Sequence, residues 1–297
     1  NANIWWISKK NKLKKIFKIL LKTVFIVSFI FGVSKEEPFY NFKKNKSYFP
    51  IKDKSTIVLD GLLDESIWGK LNIINDFKQV DPHFNSKPSQ KTEVKIFYND
   101  NSIFFGVKIY DDVNKISGNL AQYDDWFEGF ENSSDYFIVE IDSYHDHQTS
   151  FAFAVNSVGV KADYMIYNDN PEMIDDDWNQ KWNAKVQKNQ EGWNIEYEIP
   201  FKALKFNNPD NIGLNFIRYI KRNNEYHSWV VLPRETEGVV SHYGHLVGME
   251  IEKNKYLSFR PYLLFGSTSY NDFYYKNIEL MNEFNIIDKN NYEKLLG

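Results

Sequence analysis

Two kinds of side chain in this sequence are placed where they could do chemistry. The first is tryptophan among charges. Trp126 lies in Asp124-Asp125-Trp126-Phe127-Glu128, and Trp178 follows Asp175-Asp176-Asp177. A ring held in a polar loop offers a flat face to a ligand, with core packing or contact to a partner as the alternative. Trp182 opens a strand-like stretch and reads first as core. The second kind is clustered oxygen. Calcium takes about six to eight oxygens from carboxylates and carbonyls. Asp124 with Asp125, and Asp175 with Asp176 and Asp177, are candidate calcium ligands. Asp111-Asp112, and Asp142 with Asp146, are further clusters. None has the spacing of an EF-hand loop, and solvated loop acids are the competing reading for each. Asp60 and Asp64 bracket a turn with Gly61, where turn and capping chemistry suffices. His145 and His147 stand two apart in an acidic loop. A transition-metal site there needs a third ligand that the sequence does not identify. His242 and His245 show no catalytic spacing.

No catalytic residue is assigned. Glycoside hydrolysis needs two carboxylates about 5–9.5 Å apart, and among 40 acidic residues some pair can always be imagined. Serine elbows, P-loops, dinucleotide fingerprints and zinc-protease helices are missing from the sequence. Glu140, Glu196 and Glu198 sit beside apolar neighbours and read as outward-facing strand residues rather than a catalytic pair.

The elements that would position these groups are strands. Thr92–Tyr98 alternates, Asn99-Asp100-Asn101 turns the chain, and Ile103–Tyr110 returns, which predicts a hairpin. Asp135–Asp142 and Ser150–Val155 form the next expected pair, joined by polar residues 143–148. Asn156-Ser157-Val158-Gly159 then turns into Val160–Tyr167. Trp182–Gln187 pairs with Trp193–Ile199, and Pro200 ends that strand because it has no N–H for the ladder. Residues 201–206 read as one helical turn, and Ile212–Lys221 pairs with Tyr226–Leu232 around Asn223-Asn224. Short strands at this spacing without a long amphipathic helix predict an all-β, antiparallel sandwich. Aromatic residues, 17% of the chain, favour strands and can fill its core.

Both ends of the chain differ from this middle. Residues 1–34 carry seven lysines and no acid, so removing them takes the net charge from −4 to −11. A basic stretch, the 11-residue apolar run 23–33 and a small-residue site at Gly32-Val33-Ser34 predict a secretory signal peptide. A membrane anchor is the alternative, but a span needs about 20 apolar residues and Lys22 interrupts a longer run. The acidic remainder argues against nucleic acid as a partner. Without cysteine there is no disulfide, thiolate metal site or lipid-anchored cysteine. Residues 35–54 read as a linker and 55–252 as the sandwich. In Tyr256–Gly266, an apolar face (Leu257, Phe259, Pro261, Leu263, Phe265) opposes a partly polar one. That pattern fits a membrane β-barrel strand and equally any half-buried strand. Residues 253–297, which hold this stretch, read as a segment apart from the sandwich.

Three markers carry a resemblance over about 150 residues: Asp60-Gly61-Leu62-Leu63-Asp64-Glu65-Ser66-Ile67-Trp68, then Asp135–Asp142, then Gly192–Pro200. In this order they resemble family 9 carbohydrate-binding modules. A longer series extends the likeness: residues 178–184, 199–206, 215–218, 221–225 and 238–248. With it, the chain is similar to exported Gram-negative proteins that join such a module to a C-terminal outer-membrane β-barrel of unknown function, which implies that residues 253–297 begin such a barrel. The resemblance implies a β-sandwich that binds a polysaccharide or oligosaccharide between two tryptophans near calcium. It places the protein at the outer membrane, cell surface or periplasm. Trp126, Trp178 and Trp182 are the candidate sugar contacts, while Trp68 and Trp193 belong to the fold-defining motifs as core. Carbohydrate capture is the leading expectation. A partner-docking, plug-like domain of a transport or secretion barrel is the second, and a glycoside hydrolase or its accessory the third.

Overall fold

The computed structural model describes residues 46–251, apart from 132, 207–210, 233–235 and 237. The expected signal peptide, most of the linker and the expected start of a barrel lie outside the described residues. No described helix is long and apolar enough to cross a membrane.

Two sheets face each other. The larger runs β1 (Ser47–Tyr48), β14 (Gly244–Val247), β12 (Asn211–Ile220), β6 (Tyr136–Asp142), β7 (Ser150–Asn156), β8 (Lys161–Tyr167) and β9 (Asn170–Asp175). One edge of β12 is shared: β14 pairs with its first half, and β13 (Glu225–Ser228) with its second half. β3 (Lys78–Asp81) then pairs with β13. The smaller sheet runs β10 (Asn183–Asn189), β11 (Gly192–Pro200), β5 (Ser102–Tyr110), β4 (Thr92–Tyr98) and β2 (Ile51–Lys52). All four pairings expected from the sequence form, and all are antiparallel. Residues 201–203 make a single 3-10 turn. β1 and β2 fall within the expected linker, and each adds to a sheet as a short parallel edge pairing, against β14 and β4; β2 and the edge strand β9 are little buried.

Period-two alternation builds the core. Ile103, Phe105, Val107 and Ile109 of β5 and Trp193, Ile195, Tyr197 and Ile199 of β11 point inward. They meet Phe137, Val139 and Ile141 of β6, Phe151, Phe153 and Val155 of β7, and Leu214 and Phe216 of β12. The same alternation in β12 carries Arg218 inward, where its guanidinium reaches across the sandwich. It donates to the carbonyls of Lys91 and Tyr110, and it pairs with Asp111 at 2.9 Å. Arg222 joins Asp111 at 2.7 Å, and the Asp111 side chain is fully buried.

The first and third sequence markers are physically one unit. Glu196 of β11 is buried, and its carboxylate accepts the N–H groups of Asp60 and Gly61 at 2.9 and 2.8 Å and the Trp68 indole N–H at 3.1 Å. Gly61 has φ +86°, a left-handed conformation that suits glycine. Trp68 lies over Gly106, where a Cβ would meet the indole at 2.7 Å. Glu196 and Glu140 thus lie on the outward faces of their strands as expected, yet neither is exposed. Both face away from the central core, but other chain segments cover the faces they occupy. Trp68 and Trp193 are 2% and 1% exposed, as expected of core tryptophans.

Candidate functional site

Side chains on the outer face of the larger sheet build the candidate site. Register places Tyr136, Tyr219 and Tyr226 side by side across β6, β12 and β13. Their rings run in sequence, with centroids 4.9 Å apart for Tyr136 and Tyr219 and 4.6 Å for Tyr219 and Tyr226. Beyond Tyr136 the row continues to Trp126, 5.5 Å away, on the single-turn helix α1 (Trp126–Gly129). Phe130 stacks on one face of Trp126 at 4.7 Å, and Tyr164 of β8 stands edge-on at 5.7 Å. Small residues beneath, Ala152, Ala154 and Ala162, let these rings lie close to the sheet.

Trp126, Tyr164 and Tyr226 are half-buried, whereas Phe127 and Leu120 next to them are exposed. The row is therefore open to solvent on part of its surface. Polar groups border it. The Glu131 carboxylate accepts from the Trp126 side chain, and burial pushes its pKa up. Tyr136 and Tyr226 hydroxyls lie 3.4 Å apart. Farther along β6, Glu140 accepts from the Tyr243 hydroxyl at 2.9 Å and from the Asn215 amide at 3.3 Å. Burial pushes its pKa up to about 7 against those two donors. Rings that stack with polar groups at their margin match what a pyranose presents: C–H bonds on its faces and hydroxyls at its rim.

The candidates named from sequence are split between the two faces of the sheet. Trp126 belongs to the outer row. Trp178 stacks on Phe151 at 4.7 Å and meets Phe153 edge-on, against the inner core. Trp182 is 3% exposed, stacks on Tyr197, and donates its N–H to the Tyr123 hydroxyl at 3.2 Å. It is a core residue with no open face, and Trp126 and Trp178 do not form two walls of one slot.

The acidic candidates are likewise spent locally. Asp124 accepts the Asp163 N–H at 3.0 Å and the Asn179 amide at 2.7 Å. Asp125 caps α1 by accepting the Glu128 N–H at 3.0 Å. Asp175 ends β9 and accepts the Asp177 N–H, and Asp176 and Asp177 are exposed. Among the described residues these five carboxylates do not come together in any group of three. Sequence reasoning missed Tyr136, Tyr164, Tyr219, Tyr226 and Phe127. Their alternation was legible, but nothing in it distinguishes an outer aromatic row from core.

Residues 59–242 match the carbohydrate family 9 binding domain-like family. The chain belongs to that family. A family 9 carbohydrate-binding module from Caldicellulosiruptor kristjanssonii, determined with glucose, superposes with TM-score 0.50 at 14% identity, covering 70% of this chain and 98% of that one. The same kind of module determined with cellotriose gives 0.48 at 14%, covering 73% and 100%. A protein of Bacteroides uniformis gives 0.50 at 13%, covering 68% and 98%. At such identities the two superpositions at 0.50 speak for the fold alone. No curated protein sequence matches the chain.

Proposed function

We propose that the family 9 domain binds a polysaccharide or oligosaccharide along the outer aromatic row, and that it does so as part of an exported outer-membrane protein engaged in glycan capture. One observation carries the binding reading: Trp126, Tyr136, Tyr219 and Tyr226 are contiguous on one face, with Trp126 and Tyr226 partly open to solvent and Tyr136 and Tyr219 buried between them. The family membership agrees with it. The export reading rests on the basic-then-apolar stretch at residues 9–33 and on the alternation in Tyr256–Gly266.

Trp126→Ala is the direct test. A lost stacking contact is worth about 0.5–1.5 kcal/mol, so glycan affinity should fall about two- to tenfold. Titration calorimetry on glycans first selected on an array reads the effect, with Trp178→Ala expected to change affinity little. No binding to any arrayed glycan would sink the reading.

A second reading has its own observation. Trp126 and Trp178 pack on opposite faces of the sheet, which leaves the two-tryptophan slot unformed and suits a domain that docks a protein partner of the barrel. Capture of a defined outer-membrane partner, unaffected by free sugar, would support it. Calcium enters only at the Asp175–Asp177 turn, supported by three consecutive carboxylates. A melting temperature unmoved by calcium or by a chelator would remove that part.

A further inference from the structure

At the opposite end of β6 from the aromatic row, the outer face carries a group of a different chemical kind. Asp142 is the last residue of β6, Gly213 of β12 lies opposite it, and His245 of β14 lies opposite Gly213. Glycine between the two leaves the space above it clear. A Cβ at Gly213 would stand 2.8 Å from the Asp142 Cβ and 3.4 Å from its Oδ2, so the carboxylate lies over the glycine.

The turn after β6 brings two imidazoles back to this carboxylate. Asp142 accepts the backbone N–H groups of Asp146 and His147 at 3.3 and 3.0 Å, which curls the chain around it. His145 and His147 both take left-handed backbone conformations, with φ of 49° and 59°. Their rings come to 4.4 Å between centroids, and His145 lies 5.7 Å from His245. One ligand atom each from Asp142, His145 and His147 all fall within 4.8 Å of one another. Tetrahedral zinc with bonds of about 2.0–2.1 Å needs its donors about 3.3–3.4 Å apart, a contraction that side-chain rotation supplies.

We propose that Asp142, His145 and His147, with His245 as a fourth ligand, bind a divalent transition-metal ion of the zinc class. Two observations point to a ligand rather than to loop packing alone. The Nδ1 of His145 is buried and has no hydrogen-bond partner. Its Nε2 lies 3.1 Å from the Asn211 amide, whose carbonyl oxygen is also buried without a partner. Rotating that amide places its oxygen on the imidazole. The Nε2–H then donates to Asn211, and the buried Nδ1 is left with a free lone pair. This is the outer arrangement that fixes the tautomer of a metal-bound histidine. Imidazole donors favour zinc, copper, nickel or cobalt over calcium or magnesium. His147 is exposed, which gives an ion a path in. The two N–H bonds to Asp142 do not exclude ligation, because a carboxylate has about four lone-pair positions.

The site is independent of the glycan reading and is tested separately. Tag-free full chain is titrated with Zn2+ alone and with Co2+ alone, reading zinc by calorimetry and cobalt by its visible absorption. The proposal expects one ion per chain and an intense tetrahedral cobalt spectrum. His147→Ala, an exposed change with little effect on folding, should weaken zinc at least a hundredfold, as should His145→Ala. Asn211→Ala should weaken it about tenfold, and His83→Ala should leave it unchanged. Absence of a one-to-one zinc isotherm overturns the proposal. So does zinc affinity that is the same in His147→Ala, with its fold verified by circular dichroism, as in the parent.

Discussion

Glu140 shows what burial does to a single side chain. It lies on a strand that reads from sequence as alternating, yet its carboxyl is covered by Tyr243 and Asn215 and its pKa is pushed up to about 7. The unfolded chain releases this proton near 4.5. Between those values the folded state binds more protons than the unfolded one, so this residue makes stability fall as pH rises through about 4.5 to 7. Glu140→Gln removes the slope. Above pH 7 the variant should be more stable than the parent, by up to about 3 kcal/mol, and near pH 4 the two should agree. Urea unfolding at several pH values reads this, and an unchanged slope would show that Glu140 titrates normally. Trp126 is the other residue-scale test, because its removal changes ring surface at the candidate site without touching the core between the sheets.

At the scale of elements, the Asp60–Trp68 segment and β11 act as one piece. Glu196 spends its carboxylate on two backbone N–H groups and one indole N–H. Hydrogen bonds to a charged group are worth about 1.5–3 kcal/mol each in a buried setting. Glu196→Ala should therefore cost about 3 kcal/mol in denaturant unfolding and expose amides 60–68 to hydrogen exchange. Exchange that stays unchanged there would mean that packing of Trp68 on Gly106 holds the segment alone. The split edge of β12 matters in a similar way. Because β14 takes one half and β13 the other, the His245 end and the Tyr226 end of the outer face are built independently. The metal and glycan proposals accordingly sit on separate pairings.

At the scale of the whole molecule, the sandwich is held by apolar alternation and by an ionic link across it, centred on Asp111. Arg218 is fully buried, and burial lowers its pKa to about 10 despite Asp111 beside it. Asp111→Ala leaves that guanidinium uncompensated, and the expected cost is about 3–5 kcal/mol, read as a lower denaturation midpoint. A loss below about 1 kcal/mol would mean that water reaches the pair. Alternation, turn residues and the ordered markers of this chain determined the antiparallel sandwich, its four hairpin-like pairs and its family, because period two and turn chemistry are local properties of neighbouring residues. They also set Trp68 and Trp193 in the core. Which face each other aromatic occupies was decided only by tertiary structure. Trp126 and Trp178 look alike in sequence, each beside acids, yet one joins an outer row and the other the inner core. The third ligand for His145 and His147 was hidden for the same reason. Asp142 is near them in sequence, but only the turn around its carboxylate, and a strand 100 residues further on, bring the donors together, because convergence depends on sheet register and not on spacing along the chain.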